Sequence, residues 1–223
     1  MILSSIPKIP YIKGKGYCPN PIVVYGIPKE ADSRLNPKVI GTVAWEQFWT
    51  EELYRIINGY QTGGIWIPGR YYYYLNYVVI NDVERGAMNP DPTDLHLEIA
   101  YFIEFCKKNG CNAMMPKGRR KGVSEAFQSM GVDYDYRFAA EKQQIGVAAG
   151  HQDPIDDFIA KRNYAETQLP PELFIGTTKQ NDKEIIAGWR EKNELNSWAN
   201  KGVPSTIYLR TMGKDPNMFK GLF

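Results

Sequence analysis

The sequence predicts an α/β fold with a mostly parallel sheet and flanking helices, and three observations carry that expectation. Apolar residues recur at helical spacing in several segments. Short runs between them alternate or are continuously apolar, as strands do. A basic, glycine-bearing turn, Lys117-Gly118-Arg119-Arg120-Lys121-Gly122-Val123-Ser124, joins one such run to a helix. The order helix, strand, glycine-rich turn, helix, strand, helix, strand is the pattern of layered α/β domains.

Residues 1–40 are rich in Pro, Gly and Lys with little periodicity, and read as an arm. From Trp45 the spacing of Trp45, Phe48, Trp49, Leu53, Ile56, Ile57 and Tyr60 predicts a helical stripe, with Asn58-Gly59 as its stop. Ile65 to Ile67, the turn signal Pro68-Gly69 and Tyr71 to Ile80 then read as a hairpin of aromatic-rich strands. The tyrosine run 71–74 fits a strand covered on both faces better than a platform for stacked bases. Asn89-Pro90-Asp91-Pro92 is a break, after which Thr93 caps a helix with Leu95, Ile99, Phe102, Ile103 and Cys106 on its apolar stripe. Asn109-Gly110 ends that helix, and Cys111 to Met115 is a short buried-strand candidate.

A helix is expected from Ser124 through Phe127, Met130, Tyr134 and Phe138. Ile145, Val147 and Ala149 alternate as a strand, residues 153–164 are helical again, and residues 206–209 form one more strand.

The composition narrows the function classes. With 43% apolar and 23% charged residues, the 223-residue chain can bury a core, and a net charge of +2 does not announce a nucleic-acid binder. The basic residues Lys107, Lys108, Lys117, Arg119, Arg120 and Lys121 nevertheless cluster in residues 107–122 without an acid; the plainest reading of such a cluster is a solvated face. Three cysteines, Cys18, Cys106 and Cys111, fit a reducing compartment better than a disulfide framework. With His96 and His151 the only histidines, no zinc site is expected. No apolar run has the length of a membrane span or a secretory signal, so a cytosolic protein is expected.

The turn carries the chemistry. A phosphate-binding loop of the form G-x-x-x-x-G-K-[ST] wraps phosphates with its amides, reaches the β- and γ-phosphates with its lysine, and binds magnesium through its hydroxyl. Placing Gly122 at the second glycine and Ser124 at the hydroxyl puts Lys117 at the first glycine and Val123 at the usual lysine. The loop is therefore a variant whose cation comes from elsewhere. Lys117 lies across the anion from the loop's last residue, and Arg119, Arg120 and Lys121 add charge. The plain alternative is a basic surface turn with a capping serine. A strand before and a helix after favour the phosphate-binding reading.

Lys117, Arg120, Gly122 and Ser124 match the pattern by which the loop resembles the variant Walker A of tailed-phage terminase large subunits, with the lysine at the loop's start and an arginine in its middle. The upstream run NGYQTGGIWIPGRYYYYLNYVVI resembles the segment preceding the loop in terminases of gut-phage type. The resemblance covers residues from about Trp45 to Phe138. It implies a RecA/ASCE-like P-loop ATPase, with ATP and Mg2+ as cofactors, that drives double-stranded viral DNA into a procapsid. It further implies a ring of subunits on the portal protein, a small terminase subunit as partner, and a place in the infected bacterial host's cytoplasm and transiently on the procapsid. Within that reading residues 117–124 hold the nucleotide, Ser124 binds the metal, and Gln47 is a weak candidate adenine reader.

A Walker B strand ending in Asp-Glu and the nuclease carboxylates of that family are not found in the sequence, and Asp156-Asp157 reads as an exposed helix turn. The expectation is thus an N-terminal portion of a larger motor, inactive alone. Residues 1–92 would form an arm and helix–hairpin subdomain, and residues 93–223 a P-loop core incomplete at its C-terminus. A helicase-like translocase and a non-enzymatic phage interaction protein are the alternatives.

Overall fold

The computed structural model describes residues 41–62, 65–82, 84–90, 93–111, 123–140, 142–192, 198–201 and 205–211. The chain is α/β and packs into two units, residues 1–131 with 168–172 and residues 132–167 with 173–223. The Asn89-Pro90 break lies within the first unit.

The first unit opens with α1 (Val43–Asn58). Thr42 caps it by accepting from the Trp45 amide at 3.2 Å, and Gly59 ends it at φ 73°. Gly59 is irreplaceable on two counts, since a Cβ there would lie 2.3 Å from the Ile67 carbonyl oxygen. Phe48, Trp49 and Ile56 are buried as the stripe predicts, whereas Ile57 is 55% exposed. Ile57 lies beyond the edge of the buried stripe, beside the exposed Tyr54 and Asn58.

The buried position between Trp49 and Ile56 belongs to Glu52, which is fully buried. Both its oxygens accept from the Tyr72 hydroxyl at 2.7 Å, Arg55 donates to it at 2.5 Å, and the Tyr77 hydroxyl donates to its Oε2. A carboxylate out of water is tolerated when its lone pairs are taken in this way. Burial first, and then the Glu52 charge, push the Tyr72 phenol well above its ordinary range, so it stays a neutral donor.

β1 (Tyr60–Thr62) and β2 (Ile65–Ile67) form an antiparallel hairpin with Thr62 opposite Ile65. The expected second strand at Tyr71–Ile80 is instead α2 (Gly69–Asn76), with every residue buried. Two local facts make it a helix. Pro68 offers its carbonyl to the Tyr71 and Tyr72 amides at 3.0 Å, and its fixed φ suits a helix start. Gly69 meets α1 so closely that a Cβ would stand 1.9 Å from the Ile56 oxygen. A helix enclosed on all sides carries neither period in its sequence, which is why a strand was the natural reading. The tyrosines are core, with hydroxyls spent on Glu52 and on the Thr93 carbonyl, and no base can stack on them. β3 (Ile80–Asp82) and β4 (Gly86–Met88) pair antiparallel around a turn in which Asp82 accepts from the Glu84 and Arg85 amides.

α3 (Asp94–Asn109) begins and ends where the sequence predicts. Thr93 accepts from the His96 amide at 3.2 Å, and Gly110 sits in the left-handed region at φ 62°, ψ 31°. Leu97, Ile99, Ala100, Ile103 and Cys106 are buried, while Leu95 is 42% exposed. The next described helical stretch is α4 (Val123–Phe127), a π-helical segment (Gln128–Asp133) and α5 (Tyr134–Phe138).

The buried Arg70 of α2 ties these pieces together. Its Nε donates to Glu104 of α3 at 2.5 Å, and Nη1 donates to the Met130 carbonyl inside the π-helical segment. An outside donor on a helix carbonyl is a recognised companion of a widened turn.

The second unit is built on a four-stranded sheet, β5 (Gln144–Ala149), β10 (Thr206–Thr211), β7 (Glu184–Ala187) and β6 (Thr177–Gln180) in that spatial order. β5 and β10 run parallel in register, Thr206 opposite Gln144 and Thr211 opposite Ala149. β7 is antiparallel to β10 and to β6. Among the described residues the sheet is therefore mixed, with one parallel pair, where a mostly parallel sheet was expected. The hairpin at 177–187 turns through Asn181, whose side chain accepts from the Lys183 and Glu184 amides, a local Asx turn that places an antiparallel strand beside β10.

β8 (Trp189–Lys192) and β9 (Trp198–Lys201) form a separate antiparallel pair. α6 (Asp153–Thr167) packs on β5 and β10. Ile155, Phe158, Ile185, Ala187, Ile207, Leu209 and Tyr136 make the core of this unit.

Removing Arg70 strands the Glu104 carboxylate and the Met130 carbonyl together. Arg70→Ala is expected to cost about 3–5 kcal/mol in urea unfolding followed by circular dichroism, and Arg70→Lys recovers only part because an ammonium lacks the guanidinium's fork. A loss below about 1 kcal/mol, the value of a surface pair, would contradict this reading.

Candidate nucleotide-binding site

Of the residues assigned to the loop, Val123 and Ser124 are described; Lys117, Gly118, Arg119, Arg120, Lys121 and Gly122 lie outside the described residues. So do residues 112–115 of the strand candidate, while Cys111 follows the α3 cap directly and is exposed. The site's framework is nonetheless visible on either side. α3 ends at Asn109 and α4 begins at Val123, and the two helices pack against each other. The described helices on either side of residues 112–122 thus belong to one packed unit.

The helix phase decides what each end of α4 offers. Val123 is 6% exposed, and Ala126 and Met130 are completely buried. These positions, three and then four residues apart, form the face turned to the core. Ser124, one residue on, is exposed in the first turn of α4, which leaves its hydroxyl open to a ligand. At the usual lysine position of a phosphate loop this chain therefore needs an apolar side chain.

The carboxylates are distributed as the sequence suggests. Asp156, in the first turn of α6, and Asp157, just after it, are exposed, Asp156 accepting from Gln152 at 2.8 Å and Asp157 pairing with Lys161 at 2.8 Å. Gln47 is exposed on α1. Among the described residues no group of three or more His, Cys, Asp or Glu is arranged to hold a metal ion. Also among them, no helix is long and apolar enough to cross a membrane.

What the sequence reading missed is a set of buried charges. In the second unit Arg137 donates to Asp133 at 2.8 Å and Arg162 lies 2.8 Å from Glu166, with longer approaches from Arg162 to Asp133 (3.6 Å) and Arg137 to Glu166 (3.7 Å). Arg162 also stacks over the Tyr136 ring at 4.6 Å from its centroid. Burial, first among several influences, raises the Tyr136 phenol. The two cations and two anions neutralise one another, so the cluster holds the helices together and offers no net charge to a ligand. Its signal was available: Asp133/Arg137 and Arg162/Glu166 are opposite charges four residues apart in otherwise apolar helical phase.

Val123→Lys, which restores the usual residue, is expected to lower stability by at least about 2 kcal/mol without tightening ATP binding, because position 123 faces the core. A stable Val123→Lys chain with higher ATP affinity, measured by urea unfolding and calorimetry together, would show that the position faces the phosphates instead. No family model and no curated protein matches this chain.

Proposed function

We propose that residues 117–124 form a variant phosphate-binding loop for ATP and Mg2+ in the ATPase portion of a DNA-packaging motor that resembles terminase large subunits. The observation that carries the reading is the phase of α4: Ser124 is exposed in its first turn while Val123 is buried. That phase suits a loop whose hydroxyl meets a metal and whose lysine has moved to the other end. Here Ser124 coordinates Mg2+ and the loop amides hold the phosphates. Lys117 and Arg120 offset charge on the β- and γ-oxygens, and Arg119 and Lys121 add to the field.

The α/β architecture, with its parallel β5–β10 pair and α6 packed on both strands, is compatible with a RecA/ASCE-like P-loop core. In the full motor, ATP hydrolysis would drive double-stranded viral DNA through a ring of subunits docked on the portal protein, with the small terminase subunit as partner. The setting is the infected host's cytoplasm and, transiently, the procapsid.

Two substitutions separate the roles of the loop. Lys117→Ala is expected to weaken ATP binding roughly ten- to a hundredfold, the loss of one charge-assisted contact worth about 1.5–3 kcal/mol. Ser124→Ala should weaken binding only when Mg2+ is present, since its hydroxyl acts through the metal. Calorimetric titrations with and without Mg2+ check both. Unchanged affinity for Lys117→Ala, or a Ser124→Ala effect that ignores Mg2+, would refute the assignment.

A further inference from the structure

The end of α3 places two cysteines at the contact positions of a helix cap. With Gly110 in the left-handed conformation, the Cys111 amide donates to the Cys106 carbonyl at 2.9 Å and the Gly110 amide to the Lys107 carbonyl at 3.3 Å. This six-to-one and five-to-two pair of bonds is the Schellman motif, in which the side chains of the first and last residues meet and are usually apolar. Here both are cysteines, Cys106 buried and Cys111 exposed, and both are free thiols. A backbone bond of that length holds the two α-carbons at about 6 Å by ordinary bond lengths and angles, inside the roughly 4.4–6.8 Å range of disulfides. Neither thiol serves the loop chemistry proposed above.

We propose that Cys106 and Cys111 are a reversible thiol–disulfide pair, modified by low-molecular-weight disulfides of the glutathione type. The exposed Cys111 thiolate attacks one sulfur of the small disulfide, forming a mixed disulfide and expelling one small thiolate. The Cys106 thiolate then attacks the Cys111 sulfur, forming the Cys106–Cys111 bond and expelling the second small thiolate. Two protein thiols are oxidised and one small disulfide is reduced to two thiols, so atoms and electrons balance. Burial first, and then the neighbouring Cys111, push the Cys106 thiol up, which makes its attack the slower step and favours reaction at mildly alkaline pH. The bond would close the cap of α3 covalently, and the chain that carries residues 117–124 follows Cys111 directly.

The test treats the whole chain with oxidised glutathione and reads intact mass and tryptic peptides. Lys107 and Lys108 lie between the two cysteines, so trypsin cuts there and only an internal disulfide keeps the fragments together. The expected result is a tryptic peptide pair joined through Cys106 and Cys111, with no glutathione retained at Cys111. In Cys106→Ala, which keeps the buried site apolar, the mixed disulfide at Cys111 should persist at least tenfold longer, and Cys18→Ser should leave the result unchanged. Glutathione held stably on Cys111 of the wild-type chain, or a bond from Cys111 to Cys18, would overturn the proposal.

Discussion

A guanidinium taken out of water must find oxygens for its N–H groups or the chain will not bury it. Arg70 finds the Glu104 carboxylate on α3 and the Met130 carbonyl in the helical stretch after residue 122. These two partners stand on opposite sides, in sequence, of the basic glycine-bearing segment. One side chain on α2 therefore fixes the helix that enters the segment relative to the helix that leaves it. α2 can hold that side chain there because it is enclosed on every side and pressed against α1 at Gly69, where no Cβ fits. The buried Glu52 with its tyrosine hydroxyls anchors the same helix to α1.

The orientation of α4 follows from that frame. Val123, Ala126 and Met130 turn inward, and Ser124 is left facing out in the helix's first turn. A cation at position 123 would be driven into the core at a desolvation cost. Exposure of Ser124 and burial of Val123 are two faces of one packing decision.

Local chemistry was the legible part of the sequence. The Thr93 cap, the Gly59 and Gly110 stops, the helix from Ser124 and the alternating strand at Ile145–Val147–Ala149 can all be read from side-chain type and spacing. Tertiary enclosure was not legible. The tyrosine run forms a helix enclosed on every side, a condition that leaves no period behind. β6 and β7 were missed because their short runs carry charged residues such as Lys179 and Glu184, which pair with each other across the hairpin. The buried arginines were passed over because charge reads as surface until its partners are in view. At the candidate site, the helix was legible, and the inward turn of Val123 was not.

If the amides of residues 117–124 hold a nucleotide's phosphates, as proposed, amide hydrogen exchange reads them directly. Exchange followed by mass spectrometry with and without ATP and Mg2+ should show protection concentrated in peptides spanning residues 117–124, and lost when Lys117 is replaced by alanine. Unchanged exchange there at saturating nucleotide, or protection confined to other segments, would contradict the account.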